Sequence, residues 1–224
     1  MPVDPSAEIE ITALKWVPEM AHGLVRDIRV RWALEEAGLS YRERLLEFLG
    51  ERSPEDLAEQ PFGQVPAYRE GDVHLFESGA IVLHIAQNSD ALMPSDPAGR
   101  ARTLAWVIAA IDSVEKPIWN LVEINISGGS EWGRLRRPEV EDSIRRRLGQ
   151  ISDWLGESDY LEDRFTAGDL MMTTVLRILR RTDFVAEYPN LAAYQARCEA
   201  RPAFARALAA QLAAFKEHEP AEAA

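Results

Sequence analysis

The sequence predicts an α/β N-terminal half with the element order βαβαββα, followed by an all-helical C-terminal half. Three observations carry that reading. Alternating and helical hydrophobic periods succeed one another early in the chain, a hairpin pattern follows them, and beyond Met93-Pro94-Ser95-Asp96-Pro97 only helical periods occur. Between Glu8 and Leu14, Ile9, Ile11 and Ala13 alternate as in a half-buried strand. From about Leu24 to Ala37, Leu24, Val25, Ile28 and Trp32 recur at helical spacing together with Val30, Ala33, Leu34 and Ala37, and Gly38 supplies a C-terminal stop. A second strand is expected over Tyr41 to Glu47. Ser53-Pro54-Glu55-Asp56 then combines an N-cap serine, a proline at the first helical position and acids in the first turn. Val65 and Tyr68 on one side, and Val73, Leu75 and Phe76 on the other, flank Arg69-Glu70-Gly71-Asp72, which has the composition of a hairpin turn. Glu77-Ser78 opens the next helix. This is the order of a thioredoxin-like sheet, although order alone does not fix function.

The linker at 93–97 leads into the helical half. Val140, Ile144, Leu148, Ile151 and Leu155 form an amphipathic stripe with arginines and acids on the opposite face, a core pattern rather than a cofactor box. Thr166 and Asp169 have the spacing of a capping box, with Phe165 and Leu170 as its hydrophobic staple, which makes Asp169 a folding residue rather than a catalytic acid.

Composition narrows the partners. The 224 residues, 46% of them hydrophobic, suffice for two compact domains or one large one. A net charge of −12 argues against nucleic acid or an anionic membrane as a main partner, so any anion site is made locally. The single cysteine, Cys198, rules out a disulfide framework and any CxxC centre and fits a reducing cytosol. Residues 1–6 have neither the basic nor the apolar region of a secretion signal, and no stretch approaches the roughly 20 apolar residues of a membrane span. A cytoplasmic location and no metal are expected.

Two features of the hairpin region point to a ligand. Pro66 cannot donate to a strand ladder, so at a strand's start it marks an edge or a cis bond that exposes the Val65 backbone. Glu77-Ser78 lies where the unpaired N–H groups and positive dipole end of a helix cradle a carboxylate. An extended peptide carrying its own carboxylate suits both.

With these residues the chain resembles the soluble, cytosolic-type glutathione transferases, as a bacterial member. Gln64-Val65-Pro66 matches the family's cis-proline motif, Glu77-Ser78 its acid-serine pair, Phe165-Thr166-Ala167-Gly168-Asp169-Leu170 its capping box, and Ala200-Arg201-Pro202-Ala203-Phe204 its closing helix. The resemblance implies a thioredoxin-like glutathione-binding domain over 8–92, an all-helical domain over 98–218, and a homodimer. It also implies that Glu77-Ser78 hold the γ-glutamyl end, that Gln64, Val65 and Pro66 grip the cysteinyl unit, and that Arg52 faces the glycyl carboxylate. The expected activity is conjugation of the glutathione thiolate to a small apolar electrophile, with peroxidase or isomerase variants of that chemistry. The opposing class is a non-catalytic binding or regulatory module of the same fold.

The thiolate is the nucleophile in such chemistry. Lowering a thiol pKa from about 8.5 to about 6.5 requires roughly 2.7 kcal/mol of preferential anion stabilisation. The family usually takes that from a Tyr, Ser or Cys after the first strand, and between Lys15 and Arg31 this chain has none of them. The remaining candidates are His22, backbone N–H groups near Gly23, the Trp16 indole and Arg26, with His22 preferred. Arg26, Arg29, Arg31 and Arg52 are the candidate local cations. The electrophile is expected between the domains, against Trp16, Trp106, Trp119 and Ile118.

Overall fold

The computed structural model of the protein describes residues 3–220. They form two compact units, one comprising the chain up to Met93 together with the segment from Arg201 onward, the other Pro94–Ala200.

The first unit is built on a mixed four-stranded sheet of order β2-β1-β3-β4. β1 (Ile9–Leu14) pairs in parallel with β2 (Tyr41–Leu46), the two joined through helix α1 (Asp27–Ala37). β3 (Ala67–Glu70) runs antiparallel to β1 with Ile11 opposite Tyr68, and β4 (Val73–Phe76) runs antiparallel to β3 with Ala67 opposite Phe76. Only Gly71 and Asp72 remain as the hairpin turn. Arg69 and Glu70, expected in that turn, extend β3 instead, because a two-residue connection with Gly71 at φ +53° matches the twist of the strands. Helix α2 (Pro54–Glu59) starts as expected: Ser53 accepts from the Asp56 N–H, and the Asp56 carboxylate returns the bond to the Ser53 N–H. Helix α3 (Ser78–Ala86) follows β4 directly.

Helix α1 begins at Asp27 rather than near Leu24. The Ile28 and Arg29 N–H groups bond three residues back, to the Val25 and Arg26 carbonyls, so residues 24–26 form a turn ahead of the α-helix. Ile28, Val30, Trp32, Ala33 and Leu34 of α1 are buried, and α1 packs on α3 and on helix α9 (Pro202–Glu217). The sequence places the thioredoxin-like domain over 8–92 and an all-helical domain over 98–218. Instead α9 belongs to the first unit, because its apolar face packs on α1: the Phe204 ring lies 4.7 Å from that of Trp32. Arg201 and Arg206 close the contact on Glu36 and Glu35, each at 2.6 Å.

The second unit contains α4 (Pro97–Ile108), α5 (Glu115–Ile126), α6 (Glu131–Leu155), α7 (Ala167–Leu176) and α8 (Pro189–Glu199). α4 runs into α5 through a π-helical segment, Ala109–Val114. α4 packs on α7, α5 on α6, and α8 on both α6 and α7. The predicted stripe on α6 is buried throughout: Val140, Ile144, Leu148, Ile151 and Leu155 face the core. Gly168 permits the close approach of α7 to α4, since a Cβ there would stand 2.6 Å from the Trp106 Cβ.

Asp169 anchors this unit. Its carboxylate accepts from the Thr166 N–H at 2.8 Å, closing the predicted capping box, and also from the Leu161 N–H at 2.9 Å and the Tyr194 hydroxyl at 3.1 Å. Burial pushes its pKa up, against the pull of those donors. Asp169→Ala strands buried donors from three parts of the chain and is expected to cost about 3 kcal/mol, well above an exposed helix cap. Urea unfolding measures this, and a loss under about 1 kcal/mol would show that the side chain acts as a simple cap.

Candidate functional site

The register brings three chain segments to one end of the sheet. Extending the β1–β3 pairing places Leu14 across from Val65, and the β3–β4 pairing places Phe76 beside Ala67. The loop leaving β1, the segment entering β3 and the start of α3 therefore converge. The Thr12 hydroxyl accepts from the Ala67 N–H at 2.6 Å and ties the start of β3 to β1.

The Val65-Pro66 peptide is cis, with Val65 half-buried and Pro66 buried. Among the described residues, the Val65 N–H and C=O make no hydrogen bond to the chain. This is an open backbone edge against the sheet. Gln64 precedes it with its side chain exposed, its N–H donating to the Gln60 side chain at 3.3 Å. Arg52 donates to the Gly63 and Glu47 carbonyls at 3.0 and 2.8 Å, and lines the same small hollow as Gln64. It thus braces the segment that presents Gln64 and Val65.

The start of α3 is an uncapped helix N-terminus. Glu77 occupies the N-cap position at φ +67° without a capping bond, and the N–H groups of Ser78, Gly79 and Ala80 have no acceptor among the described residues. The Glu77 carboxylate is exposed and makes no bond to those residues either. Beneath it, the buried Arg29 guanidinium donates to the Ser78 Oγ at 3.2 Å, which leaves the serine's own proton to be donated outward. A helix dipole, free N–H groups and a buried cation thus favour an anion at the same point. Of the four candidate arginines, Arg29 is the one that bonds to the first residue of α3. Arg31, weighed for the same task, is instead fully buried, bonded to Asp27 at 2.6 Å and paired with Glu43 on β2.

The loop after β1 carries the remaining candidates. The His22 Nε2 lies 3.0 Å from the Val17 carbonyl; a carbonyl only accepts, so Nε2 carries the proton in this contact. Its ring packs on Phe215 of α9 at 5.1 Å. Leu14, Val17 and Phe215 form a small buried cluster, and Trp16, Val25, Val65 and Leu212 pack against it. Trp16, His22 and Val65 therefore meet around one apolar knot. Trp106 and Trp119 belong to the second unit. There the Trp106 indole N–H donates to Glu162 at 3.0 Å and its ring lies edge-on to Trp154, while Trp119 is 45% exposed on α5. Ile118, next to it, is a core residue.

Sequence reasoning missed Gln211 and Phe215. Both come from α9, far along the chain, and their contacts with residues 22–27 have no local pattern. The one available signal was a glutamine on the otherwise apolar face shared by Phe204, Ala207, Ala214 and Phe215.

Comparison with known proteins gives the family. A profile described as glutathione S-transferase, N-terminal domain, matches residues 21–87, and one described as its C-terminal domain matches residues 134–202. Glutathione S-transferase F7 of Arabidopsis thaliana is 32% identical over 194 residues, spanning 80% of this chain and 92% of that protein. A maleylacetoacetate isomerase of Rhizobium meliloti (strain 1021) is 31% identical over 190 residues, spanning 80% and 89% respectively. A Burkholderia graminis glutathione transferase, solved with two glutathione molecules bound per subunit, superposes with a TM-score of 0.77 at 25% identity, covering 90% of this chain and 88% of that one. The chain belongs to the glutathione S-transferase family. Among the described residues no helix is long and apolar enough to cross a membrane.

The positive φ of Glu77 costs about 1 kcal/mol or more for a residue with a side chain. Glu77→Gly is therefore expected to leave stability unchanged or raise it by up to about 1 kcal/mol, read from urea unfolding. A clear loss of stability would mean that the exposed carboxylate has a structural task.

Proposed function

We propose that the protein binds glutathione and transfers its thiolate to a small apolar electrophile. The observation that carries this is the pairing, at one end of one sheet, of an open Val65 edge with an uncapped α3 start backed by Arg29. An extended γ-glutamyl peptide fits both: its cysteinyl unit pairs with Val65 beside Gln64, and its γ-glutamyl carboxylate meets Ser78 and the free N–H groups of α3. Glu77 takes the peptide's ammonium group. Arg52 lies toward the glycyl end.

His22 is the base in this reading. The imidazole accepts the thiol proton, and the Val17 carbonyl holds the imidazolium that results through Nε2–H. The thiolate sulfur then forms a bond to the electrophilic carbon while the leaving group departs with its electron pair; in an addition, the proton returns from His22. The same thiolate serves a peroxidase or an isomerase, and the likeness to a maleylacetoacetate isomerase favours keeping the latter in the substrate screen. Trp16 supplies an apolar wall near the sulfur. Trp106 and Trp119 are proposed as further lining for the electrophile. A cytoplasmic homodimer is the proposed working form.

One feature favours the second reading, a glutathione-binding module without turnover: no Tyr, Ser, Thr or Cys lies between Lys15 and Arg31.

Calorimetric titration tests the binding claim. Wild type should bind glutathione at or below millimolar concentration, with Ser78→Ala weakening it at least tenfold, about 1.4 kcal/mol. No heat from the wild type would sink both readings. Ultraviolet absorbance of the bound thiolate against pH then separates them: the wild-type thiol should titrate below its free value of about 8.5, and His22→Ala should return it toward that value. An unshifted wild-type thiol selects the binding module. Sedimentation equilibrium, with a dimer mass expected, checks the oligomer.

A further inference from the structure

We infer that Gln211, on the last helix, is a positioning residue that fixes the thiol-activating loop; this rests on the glutathione-transferase reading of the site. Gln211 has no exposed surface and sits on the apolar face by which α9 packs. A buried amide is unfavourable there unless its donors and acceptor are used. They are used, and every partner lies within five consecutive residues of the candidate site. The Gln211 Oε1 accepts from the Gly23 N–H at 3.0 Å, while Nε2 donates to the Asp27 carboxylate at 2.7 Å and to the Val25 carbonyl at 3.3 Å. The reverse orientation of the amide would set N–H against N–H and oxygen against carboxylate, so its direction is determined.

The same turn of α9 also fixes the base. Phe215, four residues on, stacks at a tilt against His22, and Phe215 and Leu212 contribute to the knot on which Val65 packs. The backbone edge that would hold the cysteinyl unit and the ring that would take its proton are thus both referenced to Gln211–Phe215. Gly23, at φ +71° directly after His22, is the joint of the loop, and Gln211 clamps its N–H. Packing alone does not call for an amide here. Ala207 and Ala214 fill neighbouring positions of the face without one. The amide sets where the His22 ring stands relative to Val65, acting through the loop and not on the substrate.

The test uses the full-length protein, wild type and Gln211→Met, with Phe204→Leu as a control that loosens α9 against Trp32 away from the loop. In Gln211→Met, glutathione affinity by calorimetry should stay within about threefold. The pH profile of the bound thiolate should move up by about one unit, roughly a tenfold loss of thiolate at a fixed pH below both values. Phe204→Leu should lower the unfolding midpoint and leave that profile in place. An unmoved profile in Gln211→Met, or an equal shift in Phe204→Leu, overturns the positioning role. No glutathione binding by the wild type overturns the transferase reading and this role with it. A measurement on the wild type keeps the idea testable if Gln211→Met does not fold. The Gly23 amide should exchange with solvent as slowly as the core amides of α9, and fast exchange would refute the clamp.

Discussion

The buried carboxylate of Asp27 is the constraint around which the first unit is arranged. It lies at the first residue of α1 with almost no exposure, and burial pushes its pKa up while Arg31 and Gln211 pull it down. One oxygen accepts from Arg31 on the next turn of its own helix, the other from Gln211 on α9. Arg31 continues to Glu43 on β2 and toward Tyr41, whose phenol burial pushes up to about 12. A single chain of polar contacts therefore joins the loop, the first helix, the second strand and the last helix. Buried ion pairs of this kind add little net stability over an apolar packing, yet removing one member leaves an uncompensated charge at a cost of about 3–5 kcal/mol. Such a network specifies one arrangement of its elements more than it strengthens the fold. It explains why α9 belongs with the sheet unit and not with the helices that precede it in sequence.

That arrangement separates the site into two parts of different physical character. The anion cradle is local. Glu77 and Ser78 follow β4 immediately, Val65-Pro66 precede β3 immediately, and the hairpin register alone puts them side by side. Arg29 adds a long-range contribution, reaching from α1 to the Ser78 hydroxyl. The loop after β1 is the reverse. The loop from Lys15 to Arg26 contains no regular element beyond one 3₁₀ turn, and its shape is imposed by residues of α9.

This difference decides what could be read in advance. The strand and helix periods, the serine-proline helix start, the capping box and the break at 93–97 are short-range signals, and each marks an element or boundary seen in the fold. The proline after Val65 and the acid-serine pair were equally legible, because a cis X-Pro bond and a helix N-terminus are properties of a few consecutive residues. Residues 19–26 were not. Glu19 to Gly23 have no period, the helical spacing of Leu24 and Val25 falls before the start of α1 at Asp27, and the reach of Gln211 across the chain has no trace in the loop itself. The same limit explains Arg31. In the sequence Arg29 and Arg31 are equivalent arginines one residue apart from a shared neighbour, and only the direction of a helical turn sends one to Ser78 and the other to Asp27.

The acidity of the protein gives this geometry its meaning. In the proposed reading the ligand is an anionic tripeptide, which the long-range field of a chain of net charge −12 repels, so the attraction has to come from groups close enough to escape screening and shielded enough to act strongly. A buried guanidinium behind a serine hydroxyl at an open helix start satisfies both conditions. The guanidinium is held out of solvent and donates to the Ser78 hydroxyl. In the proposed reading the exposed Glu77 carboxylate beside it does not cancel the cradle, because the α-amino acid end of a γ-glutamyl group carries an ammonium as well as a carboxylate. An acid and a hydroxyl on adjacent residues, one at positive φ and one at the first turn of a helix, present complementary charge to both ends of that zwitterion. The strain stored at Glu77 is then the cost of aiming a side chain away from the helix axis while its neighbour stays in register with it.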